Sequence, residues 1–204
     1  MTLIDACFRV FDKNNAEIKA RQVFDLIKGC EIRFSPPADC VVQNTFIKIR
    51  QEERDAPRGF YAPTIAYREF CFYGDDELKV AIGINGLSED EVSLIRRVGN
   101  HINCIGKRGS FWQYIEYSIY KGNLPEGYTF PQLEERLLTG KFQWVQYLDD
   151  FGEVLCKAKD GFDRISTYGP GTVKLGEHRI LVKTLIPYRF VQSSKHFTQY
   201  EKIV

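Results

Sequence analysis

The stretch GLSEDEVSLIRRVGNHINCIGKRGSFWQYIEYSIY, residues 86–120, decides how the chain is read. It predicts a helix, a basic glycine turn and a strand in succession. Ser88 stands where an N-cap is needed, and Glu91, three residues on, completes a capping box. Leu87, Val92, Leu94, Ile95, Val98 and Ile102 recur at helical spacing, so one face turns toward a core. Glu89, Asp90 and Glu91 fall in the first turn and Arg96 and Arg97 near the end, the arrangement the helix dipole favours. In the turn Gly106-Lys107-Arg108-Gly109, two glycines permit positive φ and close approach to a ligand, with two cations between them. Residues 110–120 are aromatic and β-branched and predict a strand. A ligand rich in phosphates and stackable bases needs this combination. Amides and cations meet phosphates, while Phe111 and Trp112 meet bases. A solvated basic turn is the plainer alternative.

Upstream, residues 64–73 and 77–84 are apolar, aromatic runs around Gly74-Asp75-Asp76 and predict a β-hairpin. Residues 51–62 carry Pro57 and Gly59 and predict a loop. There Arg50, Arg54 and Arg58 stand against Glu52, Glu53 and Asp55, either as a solvated loop or as a ligand-facing finger. Residues 38–50 predict a helix with Val41, Val42, Thr45, Phe46 and Ile49 inward, although their β-branched content weakens helix propensity. Residues 30–34 are extended and end at Ser35-Pro36-Pro37; a second proline can open a helix. Residues 16–27 fit a short helix with Ile18, Val23, Phe24 and Ile27 on one side, or an excursion of a first strand at 3–11; residues 12–15 are a polar turn. Strand, helix, strand, strand, helix, strand is the split β-α-β order. The expected fold class is α+β. A ferredoxin-like (βαββαβ, RRM-like) domain over 1–121, with an insertion after its first strand, precedes a smaller β-rich part over 122–204.

Downstream, Gly122, Pro125, Gly127 and Pro131 mark that boundary. Residues 132–138 predict a short helix stopped by Gly140. Residues 142–148, 153–158, 179–185 and 188–203 read as β, with turns at Asp160-Gly161 and Gly169-Pro170-Gly171. Tyr114, Tyr117 and Tyr120 read as sheet core or a subunit interface, and Trp144 and Tyr147 as core.

At 204 residues the chain is long enough for one sizeable core, or one domain with a small companion. With a net charge of +1, any nucleic-acid binding must come from local clusters. The cysteines Cys7, Cys30, Cys40, Cys71, Cys104 and Cys156 form no C-x-x-C pair, so a zinc site or redox dithiol is not expected and free thiols are. His101, His178 and His196 belong to no H-E-x-x-H motif, and P-loop, G-x-S-x-G and G-x-G-x-x-G patterns are absent. No metal or cofactor is expected. No apolar run spans a bilayer, and MTLIDACFRVFDK has no signal-type leader, so a cytoplasmic protein without membrane contact is expected.

Three segments carry a resemblance. They are Phe34-Ser35-Pro36-Pro37; the run from Tyr67-Arg68-Glu69-Phe70 through Ile84 and the helix to Ile105-Gly106-Lys107-Arg108-Gly109-Ser110-Phe111; and Ile186-Pro187-Tyr188-Arg189-Phe190-Val191-Gln192-Ser193-Ser194. In order and texture the chain resembles the RAMP-superfamily Cas-five subunit of type I (Cascade-like) CRISPR effector complexes. The resemblance implies a non-catalytic RNA-binding protein of antiviral defence. Such a protein caps the 5′ handle of the crRNA and contacts related RAMP backbone subunits and the large subunit. Through the latter it lies near target DNA indirectly, at the flanking motif. Carried onto this sequence, Gly106, Lys107, Arg108 and Gly109 form the turn near the handle, with Phe111 and Trp112 beside it. Arg33 and Ser35 line the same side, and Arg189, Ser193 and Lys195 contribute from the tail. Arg54, Arg58 and Phe60 form a short thumb that holds a displaced nucleotide.

Two alternatives stay open. One branch of the same family cuts the guide precursor without a metal, with His101 near Lys107, or Tyr67 with His101, as candidates for that chemistry. Against it, His101 near a helix end can simply cap carbonyls, Tyr67 on an apolar strand reads as core, and His178 and His196 read as solvated. The other alternative is a protein-interaction module without RNA, which salt dependence separates from RNA binding.

Overall fold

The computed structural model describes residues 1–52, 57, 59–74, 76–106, 109–130, 144–165 and 172–203. The described chain is mixed α and β with antiparallel sheets. It divides into two compact units, each assembled from three separated segments. The first comprises Met1–Ile32, Ala81–Leu124 and Tyr147–Val182; the second comprises Arg33–Val80, Pro125–Gln146 and Lys183–Val204. One crossing, Leu124 to Pro125, falls in the glycine- and proline-rich stretch noted in the sequence.

The first unit is built on helices. Thr2–Val10 is α1, not the expected first strand. Leu3, Ile4, Cys7, Phe8 and Phe11 follow helical spacing, and Leu3, Ile4, Ala6 and Cys7 are buried. Asp12 accepts bonds from the Asn14 and Asn15 amides at 3.0 and 3.2 Å and turns the chain into α2, Ala16–Ile27. That helix has the expected bounds, but its inward face is Ala16, Ala20, Val23, Phe24 and Ile27; Ile18 points outward. The third helix, α3, runs Glu89–Gly99 with the capping box as read. Ser88 Oγ accepts from the Glu91 amide at 3.3 Å, and the Glu91 carboxylate accepts from the Ser88 amide at 2.8 Å. The Ser88 hydroxyl also donates to that carboxylate at 3.0 Å, and with the Ser88 amide it holds the Glu91 carboxyl below its ordinary range. Ile95 and Val98 bring α3 to the shared core.

Two short helices, α4 (Glu153–Lys157) and α5 (Gly161–Ile165), close this core with Leu155, Phe162 and Ile165. The strand expected at 153–158 is therefore α4. Phe24 lies at the centre, edge-on to Phe151 and Phe162 at 5.3 and 6.1 Å between ring centroids. Gly152 has no room for a side chain, since a Cβ there would stand 2.0 Å from the Glu177 carbonyl oxygen.

The second unit is built on a four-stranded antiparallel sheet. Its strands are β2 (Asp39–Glu52), β3 (Tyr61–Tyr73), β7 (Tyr188–Ser193) and β8 (Phe197–Lys202), in the order β3-β2-β8-β7. Residues 39–50 of the helix expected at 38–50 thus lie in a strand. Ile47-Lys48-Ile49-Arg50 alternates with period two, and β-branched residues favour the pleat. The partner of β3 is β2, so the hairpin expected between 64–73 and 77–84 does not form. The strand after it, β4 (Lys79–Ile82), pairs instead with β1 (Ile32–Ser35). The remaining pair is β5 (Trp144–Phe151) with β6 (Arg179–Ile186).

The described elements as far as Tyr120 run α-α-β-β-β-β-α. The β-α-β-β-α-β succession of the sequence reading is not the observed one. The helix expected at 132–138 and the turn at 169–171 lie outside the described residues. Tyr188 anchors the second unit: it is buried, and its hydroxyl donates to the Pro37 carbonyl at 2.8 Å.

Candidate nucleic-acid interface

The register of β2 with β3 runs without a break from Cys40↔Tyr73 to Glu52↔Tyr61. Its neighbour β8 stops at Gln43↔Phe197. Residues 44–52 and 61–69 therefore continue as a two-stranded ribbon, about 30 Å long at ~3.4 Å per residue. Cross-strand pairing places Phe46 opposite Tyr67, Lys48 opposite Ile65 and Arg50 opposite Pro63 on one face. That face is open. Phe46 is 72% exposed and Ile65 67%, and the Phe46 and Tyr67 rings meet edge-on at 5.3 Å. Lys48 and Arg50 are exposed between them, and Glu69 is exposed at the root. A pair of aromatic rings, Phe46 and Tyr67, is thus followed by the cations Lys48 and Arg50 along an unburied strip.

Of the loop expected at 51–62, Gln51, Glu52, Tyr61 and Ala62 are instead paired at the ends of β2 and β3, and Pro57, Gly59 and Phe60 are the described residues between them. Phe60 and Tyr61 are exposed there, and the Phe60 amide donates to the Pro57 carbonyl at 3.0 Å. Gly59 takes φ 91°, which an L side chain rarely adopts. Arg54 and Arg58 lie outside the described residues. At the root, the turn from β7 to β8 carries Lys195, and the Asn44 amide donates to the His196 carbonyl at 3.1 Å. Ser193 pairs with Thr198 beside it. The structure thus brings Phe60, Ser193 and Lys195 to the two ends of one ribbon.

The other expected residues fall elsewhere. Arg189 is ion-paired with Glu201 at 2.8 Å. Arg33 lies with its guanidinium 5.4 Å from the Phe130 ring centre. Ser35 is buried, and its hydroxyl accepts from Lys202 Nζ at 2.7 Å. Burial draws the Lys202 ammonium below its ordinary range, with Asp76 opposing that shift. This bond ties β8 to the proline entry inside the unit.

In the first unit, Cys104 and Phe111 form an isolated antiparallel bridge. The Ile105 amide donates to Ser110 at 3.2 Å and the Trp112 amide to Asn103 at 3.0 Å. Gly106 takes φ 80°, and Gly109 is exposed in the turn. Lys107 and Arg108 lie outside the described residues. Phe111 is 83% exposed, while Trp112 is half-buried with its indole N–H on Ser110 Oγ at 3.2 Å. The strand expected over 110–120 stops at that bridge. Residues 113–120 form no ladder among the described residues, and Ile115, Tyr117, Ile119 and Tyr120 are exposed rather than core. Propensity alone makes no strand without a partner edge. Arg96 stacks over Tyr117 at 4.4 Å.

Of the candidate catalytic residues, Tyr67 is exposed on the ribbon and not core. His101 is exposed after α3, its amide donating to Val98 at 3.0 Å and its carbonyl accepting from Arg9 at 3.1 Å. His178, expected to be solvated, is buried; its Nδ1 accepts from the Lys174 amide at 3.1 Å. Tyr147, expected in the core, is exposed. Among the described residues no group of three or more His, Cys, Asp or Glu is placed to hold a metal ion, and no helix is long and apolar enough to cross a membrane. The sequence reading missed Lys48, Ile65 and Tyr67 as surface groups and turned Phe46 inward. The alternation Ile47-Lys48-Ile49-Arg50 was the signal that marks the ribbon.

No protein-family model matches the chain, and no curated protein matches it significantly.

Proposed function

We propose that the chain is a non-catalytic, RNA-binding subunit of a cytoplasmic ribonucleoprotein, with a role like that of the Cas-five subunit in type I CRISPR complexes. Its ligand is single-stranded RNA, the 5′ handle of a crRNA. The observation that carries the reading is the free ribbon, with Phe46, Tyr67, Lys48 and Arg50 exposed on one face. Rings on such a strip stack with bases and the cations meet phosphates, the chemistry that single-stranded RNA selects. The ribbon serves as the thumb of the resemblance, with Phe60 toward its tip. Gly106, Lys107, Arg108, Gly109 and Phe111 supply a second contact. The reading does not depend on a ferredoxin-like order of elements.

Residues 113–120 favour protein partners as well. They are β-prone, exposed except for the half-buried Tyr114, and in no ladder among the described residues, which suits strand addition to a neighbouring subunit. Related backbone subunits and the large subunit are the proposed neighbours, and contact with target DNA is indirect.

The test is to purify the protein with the products of adjacent genes and a repeat-spacer transcript, then sequence the retained RNA. One guide with a uniform 5′ handle, lost on Lys48→Glu with Arg50→Glu, supports the reading. Retention of protein partners without RNA leaves only the interaction reading. Cleavage to defined ends that stops with His101→Ala replaces the binder with a nuclease.

A further inference from the structure

Cys40 and Cys71 lie at the root of the ribbon, on adjacent strands. The register sets Cys40 opposite Tyr73 and Val42 opposite Cys71, so the two cysteines are diagonal neighbours on one face. Cys40 is fully buried, with β8 on its other side through Cys40↔Tyr200. Cys71 is exposed on β3, the outermost strand of its sheet. A hydrogen bond from the Cys40 thiol holds the Cys71 thiol down at about 7 and pushes Cys40 up. Cys71 therefore carries more thiolate at neutral pH than an ordinary cysteine, and the thiolate is the form that reacts. Burial pushes Cys7 up to about 11, and it also raises Cys30 and Cys156. The Cys7, Cys30 and Cys156 thiols are turned onto the carbonyls of Leu3, Leu26 and Lys28.

We propose that Cys71 and Cys40 form a peroxide-reactive pair that closes to a disulfide between β2 and β3. The Cys71 thiolate attacks one oxygen of hydrogen peroxide. An S–O bond forms, the O–O bond breaks, and hydroxide leaves and takes a proton to become water. Sulfur is oxidised to a sulfenic acid and the peroxide is reduced. Cys40 then attacks that sulfur. The S–S bond forms, the S–O bond breaks, and the leaving hydroxide takes the Cys40 proton as a second water. Two thiols and one peroxide give one disulfide and two waters. Diagonal neighbours stand at or beyond the usual Cα span of a disulfide, so closure requires the two strands to shift toward each other at the ribbon root. The inference is independent of whether the ribbon binds RNA.

The test treats the full chain with stoichiometric hydrogen peroxide at neutral pH, followed by thiol counting and non-reducing peptide mapping. The expected result is loss of two thiols, a linked Cys40–Cys71 peptide, and recovery with dithiothreitol. With Cys40→Ser, a sulfenic acid persists on Cys71 and is trapped by dimedone. With Cys71→Ser, Cys40 stays reduced. If Cys40→Ser fails to fold, iodoacetamide labelling of the natural chain decides. Cys71 should be alkylated fastest of the six, with its rate rising through about pH 7. Oxidation that falls first on another cysteine, a Cys71 sulfenic acid that never links to Cys40, or slow alkylation of Cys71 overturns the proposal.

Discussion

The helical core and the ribbon treat the same kind of residue in opposite ways. Phe24 is enclosed by Phe151 and Phe162. Phe46 stands 72% exposed with one edge-on neighbour, Tyr67. A buried ring contributes its area to folding. An exposed ring on a free strip contributes little to folding, so its value lies in what it meets outside the chain. The contrast separates residues that make the structure from residues that use it.

Five substitutions, in four tests ordered by their largest expected effect, bear on this contrast. Gly152→Ala drives a Cβ into the Glu177 carbonyl and should cost at least ~3 kcal/mol, in the upper tail of single substitutions. Calorimetry should show a large fall in Tm. Phe24→Ala should cost about 3–5 kcal/mol in chemical denaturation, while Phe46→Ala stays within about 0.5 kcal/mol. If Phe46→Ala destabilises as much as Phe24→Ala, the ribbon face is core and the contrast fails. Ser88→Ala should cost about 1 kcal/mol by removing one half of the capping box. The smallest effect is on pH. The Glu91 carboxyl is held below its ordinary range by the Ser88 amide and hydroxyl. Its contribution is therefore present above the ordinary carboxylate pKa and lost as pH falls through the depressed one. The acid limb of the stability profile should flatten in Glu91→Gln.

Much of the helical unit was legible in the sequence. The Ser88/Glu91 capping box and the bounds of α2 follow from local rules, because caps and helical spacing are satisfied within a few residues. At 3–11 the same spacing was present in Leu3, Ile4, Cys7, Phe8 and Phe11, and reading it as alternation lost α1. The strands were harder. A strand's identity depends on which edge it meets, and the pairing of β2 with β8 joins residues about 160 positions apart. Residues 38–50 contain both an apolar face at helical spacing and an alternation from Ile47 to Arg50, and the alternation won once β3 and β8 were present. Residues 110–120 show the converse, since strong β-propensity left 113–120 without a ladder among the described residues. The tip and root of the candidate site, at Phe60, Ser193 and Lys195, were named from the sequence. The strip between them was not, because a helix at 38–50 turns Phe46 inward and hides Lys48.

The most direct test of the central claim is binding of fluorescein-labelled single-stranded RNA, followed by anisotropy across a salt series. Natural chain and Lys48→Glu with Arg50→Glu are compared. The account predicts that log K falls linearly with log salt, with about −0.7 of slope per phosphate neutralised. It predicts a shallower slope and at least tenfold weaker binding for the double variant, and a loss of about 1–3 kcal/mol for Phe46→Ala. Binding that is absent at low salt, or that is identical in the natural chain and the double variant, contradicts the assignment of the ribbon as an RNA-binding surface.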